Sequence, residues 1–175
     1  YDIRTKKRLA LEGGDNTLDL AALRVTRARP LREEDIPQEA RARLANGVEL
    51  VGYGLQLVKD KPTREVTVTL YWRARQEIGD NYTTFIHLLD SEGQTVAQDD
   101  CMPVEGRYPT SFWQAEEIVE DVHRISLVGA PPGGRYRLAV GMYVLETMTR
   151  AEVQELGKGV SLNKGRIVLG QSIEL

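Results

Sequence analysis

The sequence predicts an all-β chain folded as an antiparallel β-sandwich, jelly-roll or immunoglobulin-like, with at most one or two short helices. Three observations carry this. Several segments alternate apolar and polar residues at period two, turn residues recur between them, and few stretches show a helical period. The bulk properties agree. With 175 residues, 41% apolar and 28% charged, the chain has the composition of a globular domain long enough to bury a core without staples. A single cysteine excludes an internal disulfide framework and a cysteine-rich zinc site.

Glu65–Arg73 is the most regular strand. Val66, Val68, Leu70 and Trp72 share one face, with Trp72 assigned to the core, and Thr67, Thr69, Tyr71 and Arg73 share the other. Arg135–Val144 repeats the pattern, with Tyr136, Leu138, Val140, Met142 and Val144 on one face. Gly141 lies opposite, where a strand glycine marks a bulge or a close approach. Weaker strands are expected at Leu23–Arg29, Val48–Lys59, Thr83–Leu89, Thr95–Asp99, Val122–Leu127 and Arg166–Glu174. Turn signals separate them at Lys61-Pro62, Gly79-Asp80-Asn81, Asp90-Ser91-Glu92-Gly93, Pro131-Pro132-Gly133-Gly134 and Asn163-Lys164-Gly165. A helix is expected at Pro37–Ala45, capped by Asp35 or Ile36 and ended by Asn46-Gly47, and Glu116–Glu120 has the look of one helical turn. This divides the chain into an N-terminal extension, residues 1–45, that packs on a sandwich of residues 46–175.

Net charge is −3, from 23 basic and 26 acidic residues. Residues 1–46 carry +2 and the rest −5, without the one-sided basic excess that nucleic-acid binding requires. The groups Arg4, Lys6, Lys7, Arg8 and Arg24, Arg27, Arg29 read as solvated faces, the first being the place to look for contact with a membrane surface. No run approaches the length of a membrane span. The chain opens at Tyr1 rather than Met, and the expectation is a processed product or a fragment of a longer protein.

Chemistry-bearing patterns are sparse. The two histidines, His87 and His123, fall on strands without metal-ligand spacing and read as hydrogen-bonded sheet residues. Asp90, Asp99 and Asp100 are the weak candidates for calcium, against the simpler reading of turn and surface aspartates. Cys101 follows two aspartates, which oppose a reactive thiolate, and reads as a structural thiol. Adjacent acidic pairs on a strand point to opposite faces and would not cooperate. No catalytic residue is assigned. The segment Arg107–Trp113 gathers Tyr108, Phe112 and Trp113 in one loop. It could present a stacking platform for a sugar, with Trp113 and Tyr108 as faces and Arg107 and Asp99 for hydroxyls. The competing reading tucks Phe112 and Trp113 under the loop as a plug on the sandwich.

A collinear series of motifs runs through residues 46–175. It comprises Gly52-Tyr53, Leu70-Tyr71-Trp72-Arg73-Ala74, Phe85-Ile86-His87-Leu88-Leu89-Asp90, Gln98-Asp99-Asp100 and Pro109-Thr110-Ser111-Phe112-Trp113. Asp121, Pro131-Pro132-Gly133-Gly134-Arg135-Tyr136 and Val140-Gly141-Met142-Tyr143 complete it. This resembles the soluble C-terminal β-sandwich attached to multi-spanning bacterial membrane glycosyltransferases of the dolichyl-phosphate-mannose–protein mannosyltransferase type. Two positions depart from that pattern: Val144 stands where it has Asp, and Met148 where a Gly precedes Arg150. The resemblance implies a non-catalytic extracytoplasmic appendage, with the membrane portion of the parent as partner. Binding of carbohydrate or the acceptor is the leading expectation for such a domain. No cofactor is implied. A protein-interaction sandwich without a small ligand is the alternative, and a glycan-active enzyme the third reading, which needs two carboxylates facing across a cleft.

Overall fold

A computed structural model describes residues 31–58, 65–128 and 134–174. All of them belong to the compact unit Leu31–Leu175. Eleven strands follow in order: β1 (Gln38–Leu44), β2 (Val48–Val58), β3 (Glu65–Ala74), β4 (Tyr82–Leu89), β5 (Thr95–Cys101), β6 (Ile118–Ser126), β7 (Arg135–Val144), β8 (Thr149–Arg150), β9 (Val153–Leu156), β10 (Val160–Asn163) and β11 (Arg166–Glu174). The first sheet runs β6-β3-β2-β1-β9. The second runs β10-β11-β7-β4-β5, with β8 added beside β7. Every pairing is antiparallel, and the two sheets stack as a sandwich.

The inner faces are those the alternation assigns. Val66, Val68, Leu70 and Trp72 of β3 meet Ile86, Leu88, Leu138, Val140 and Met142 of the second sheet in one core, each at most 1% exposed. Burying such side chains supplies roughly 1.5–3 kcal/mol apiece, which is what holds the two layers together. The β10–β11 hairpin turns on Lys164 and Gly165, both at positive φ, and Asn163 pairs directly with Arg166, as a tight two-residue turn requires. Asp90 closes the β4–β5 turn by accepting from the Glu92 and Gln94 amides at 3.0 and 2.8 Å.

The helix expected at Pro37–Ala45 is not formed; Gln38–Leu44 is β1, between β2 and β9. Ala40, Ala42 and Leu44 are buried and the residues between them are not, a period of two that the capping signals obscured. Alanine suits either state, and cross-strand pairing decided it. Glu116–Glu120 is likewise no helix: Glu116 sits in a turn at φ 65° and β6 begins at Ile118. The short strands β8, β9 and β10 were not anticipated. The expected strand Leu23–Arg29, the turn at Lys61-Pro62 and most of the Pro131–Gly134 turn lie outside the described residues.

Candidate functional site

Two polar constellations stand out, an inner one bridging the two sheets between β5 and β6 and an outer one on the outward face of the second sheet. The inner one closes an open side of the sandwich. Strands β5 and β6 end their respective sheets and face each other there. His123 of β6 is 2% exposed; its Nδ1 lies 2.7 Å from Asp99 Oδ2 on β5 and its Nε2 3.0 Å from Asp121 Oδ2. The second contact is off the line of a hydrogen bond and acts through charge. Asp121, 1% exposed, also accepts from the Thr84 hydroxyl and the Val104 amide, both at 2.9 Å. Burial disfavours the imidazolium, but Asp121 and Asp99 outweigh it and raise the His123 pKa above its ordinary value. Both nitrogens face carboxylates, which favours the charged ring and makes His123 a tie between the sheets.

The chain beside this tie is strained. Val104 and Glu105 both adopt left-handed backbone, φ 56° and 57°, which costs roughly 1–3 kcal/mol each for non-glycine residues. The Val104 amide bond to Asp121 is one of the contacts that hold it. Cys101 lies alongside. Burial, then Asp99, Asp121 and Glu105, push its thiol pKa up, which agrees with a structural thiol.

The four residues expected to bind sugar do not form a platform. Trp113 is 2% exposed, packs in the core and donates from Nε1 to the Tyr108 carbonyl at 3.0 Å. It offers no free face, so its assignment as a stacking residue is corrected: the ring plugs the sandwich, because burying a large apolar surface outweighs displaying it. Phe112, expected to tuck in with it, is instead 60% exposed. The Tyr108 hydroxyl donates to the Phe112 carbonyl and lies 2.9 Å from Glu117 Oε2, wiring the loop to itself. Arg107 is exposed and paired with Glu105 at 2.9 Å, while Asp99 serves His123. The calcium candidates do not converge either. Asp90 is committed to its turn, Asp99 points inward and Asp100 outward, and no group of three or more such ligands gathers among the described residues.

The outer constellation was missed by sequence reasoning. Phe85 and His87 of β4, Asp100 of β5, Tyr143 of β7, Arg150 of β8 and Arg166 of β11 share the outward register of the second sheet. Gly141 sits at its centre, and a Cβ there would lie 2.5 Å from the Phe85 ring, so the glycine permits a close approach. Phe85 stacks at 4.9 Å from His87 and 6.3 Å from Tyr143, ring centre to ring centre, and the Arg150 guanidinium lies 5.0 Å above Phe85. The Tyr143 hydroxyl donates to Asp100 at 3.2 Å. Arg166 Nη1 lies 3.3 Å from both His87 Nδ1 and Thr95 Oγ1.

Electrostatics fix the histidine here. Burial lowers the His87 pKa; Asp100 opposes this, and Arg166 and Arg150 add to it. The ring is therefore neutral at pH 7. A guanidinium only donates, so Nδ1 accepts from Arg166 and the proton sits on Nε2, 3.8 Å from Asp100. Burial and Arg150 also depress the Arg166 pKa, without discharging it. The signal that could have exposed this site is the outward alternation Phe85, His87 opposite Gly141, Tyr143, read jointly rather than strand by strand.

No family model matches the chain, and no curated protein matches it. Solved structures with a similar fold include a β-glucuronidase from glycoside hydrolase family 2 (TM-score 0.45, 11% identity, 58% of this chain and 10% of that one). A glycosyl hydrolase family 2 member from Bacteroides cellulosilyticus is similar at TM-score 0.43 and 12% identity, over 70% of this chain and 16% of that one. The C-terminal domain of wzt is similar at TM-score 0.48 and 15% identity, over 84% of this chain and 89% of that one. The chain thus spans a small part of the two hydrolases and most of the wzt domain.

Proposed function

We propose that the chain is a non-catalytic accessory domain of a membrane glycosyltransferase-like protein, placed on the extracytoplasmic side, and that it binds carbohydrate through the outer face of the second sheet. The observation that carries the binding part is the exposed pair Asp100 and Arg150 on the grouping around Gly141, in which Phe85 and Tyr143, 2% and 8% exposed, form a packed base rather than free stacking faces. Planar hydrogen-bonding groups held by a rigid base are what sugar recognition draws on. The link to a glycosyltransferase parent rests on the motif series alone. A non-catalytic role is supported by the arrangement of the inner carboxylates, since Asp99 and Asp121 are both taken up by the His123 ring.

The experiment is a glycan-array screen of the chain, with and without calcium, repeated on Asp100→Asn and His87→Ala. A reproducible saccharide that weakens in both variants is the expected result. A silent array in both conditions overturns the carbohydrate reading. The second reading, a protein-interaction sandwich, is favoured by exposed apolar side chains: Phe112 at 60%, Leu145 at 55% and Met148 at 67%. Val144 pairs with Tyr82, whose amide donates to Thr110, so Leu145 and Phe112 extend from connected segments.

A further inference from the structure

Arginines of both sheets pair with carboxylates, Arg135 of the second with Glu174 at 3.1 Å among them, and two arginines of the second sheet stand apart. On the first sheet Arg41 and Arg73 both bond Glu33, Arg43 bonds Glu155, and Arg75 bonds Glu49 and Glu116. On the second sheet neither Arg150 nor Arg166 has a carboxylate partner among the described residues; the partners recorded for them are the Phe85 ring, His87 and Thr95. Arg166 is 7% exposed, and its Nε has no hydrogen-bond partner among the described residues. A buried guanidinium N–H without a partner is costly, and the cost is recovered when an acceptor arrives.

Within the cluster His87 is neutral and Asp100 is engaged by Tyr143, while Glu152 stands beside Arg150 at the margin. The two guanidiniums are thus balanced by two carboxylates, with neither of which they pair. Arg150 is exposed and borders a cleft of about 260 Å³ lined also by Ala151, Glu152, Val153, Leu162 and Gly165. The buried cation thus has an open, charged neighbour at its margin.

We infer that this face recognises an acidic sugar, a glycan residue carrying a carboxylate of the uronic acid type. The inference rests on the carbohydrate reading above. Arg166, with its free Nε, and Arg150 take the carboxylate, whose planar oxygens match a guanidinium fork. Asp100 and Glu152 accept from ring hydroxyls.

The test is calorimetric titration of the intact chain with oligomers of glucuronic, galacturonic and mannuronic acid. Each is compared with its methyl ester, which keeps the ring and removes the charge, and with a sulfated oligosaccharide. The free acid of at least one series is expected to bind about tenfold or more tightly than its ester, and to weaken by about tenfold or more in Arg150→Gln and in Arg166→Gln. Arg150 is exposed, so its variant reports on binding without threatening the fold; melting curves check Arg166→Gln, and Arg166→Lys tests the Nε while keeping the charge. Equal binding of acid and ester overturns the inference and leaves the carbohydrate reading standing. Stronger binding of the sulfated probe overturns the choice of a carboxylate. Acid binding untouched by both arginine variants overturns the location. Silence in all series, with esters included, removes both readings.

Discussion

Replacing Asp121 by Asn should weaken the fold far more than its small change in shape suggests. The side chain is 1% exposed and serves three partners at 2.9–3.0 Å: the His123 ring, the Thr84 hydroxyl and the Val104 amide. Asparagine can still accept from Val104, but it cannot offset the imidazolium, and its amide group meets donors where the carboxylate met them as an acceptor. Removing one partner of a buried ion pair costs about 3–5 kcal/mol. For a chain of this length that lowers the melting temperature by on the order of 10 °C. The loss carries a pH signature. His123 titrates above the ordinary histidine value of 6.5 in the folded state, so its contribution is complete below pH 6.5 and disappears as pH rises through the raised folded value. Urea denaturation of both proteins at several pH values from 6 to 9 should show the largest difference at pH 6, narrowing toward pH 9. A difference below about 1 kcal/mol, or one that does not change with pH, would refute the imidazolium assignment.

Three further outcomes are expected. Glu33 is held at a pKa of about 2, chiefly by its bond to Arg41 and then by Arg73, so what it adds to stability is present above pH 4.5 and lost as pH falls toward 2; Glu33→Gln should flatten that acid dependence in denaturation curves, at a cost of no more than about 1 kcal/mol at pH 7 because the carboxylate is half exposed. Gly141→Ala drives a methyl into the Phe85 ring, and equilibrium unfolding should show a loss of about 1–3 kcal/mol; an unchanged midpoint would mean that the ring moves freely. Trp113→Ala should cost about 3–5 kcal/mol by the same measure, while Trp113→Phe, which keeps the plug and loses one hydrogen bond, should leave binding of any confirmed saccharide unchanged; a selective loss of binding would restore the stacking role.

Some elements were legible because one local pattern decides them. Val66 to Trp72 and Tyr136 to Met142 alternate so regularly that only a half-buried strand accommodates them, and both strands form where expected, Arg135–Val144 to the residue. Asn163-Lys164-Gly165 likewise contains its own turn. Gln38–Leu44 contains no such decision. Its alanines and arginines suit a helix as well as a strand, and β2 and β9 on either side settle the matter. The aromatic loop shows the same limit in side chains, since Phe112 and Trp113 are neighbours in sequence, yet one faces solvent and the other fills the core.

By itself the sequence determined the fold class, the inward faces of the long strands and the opposite facing of Asp99 and Asp100. Each of these follows from spacing along one strand. The tertiary structure decided which distant charges meet. Asp99 and His123 are 24 residues apart, His87 and Arg166 79, and only the stacking of β5 on β6 and the order of strands in the second sheet bring them within 3.3 Å. Periodicity states which way a side chain points; it carries no information about which strand lies beside it, and the chemistry of this molecule is made between strands.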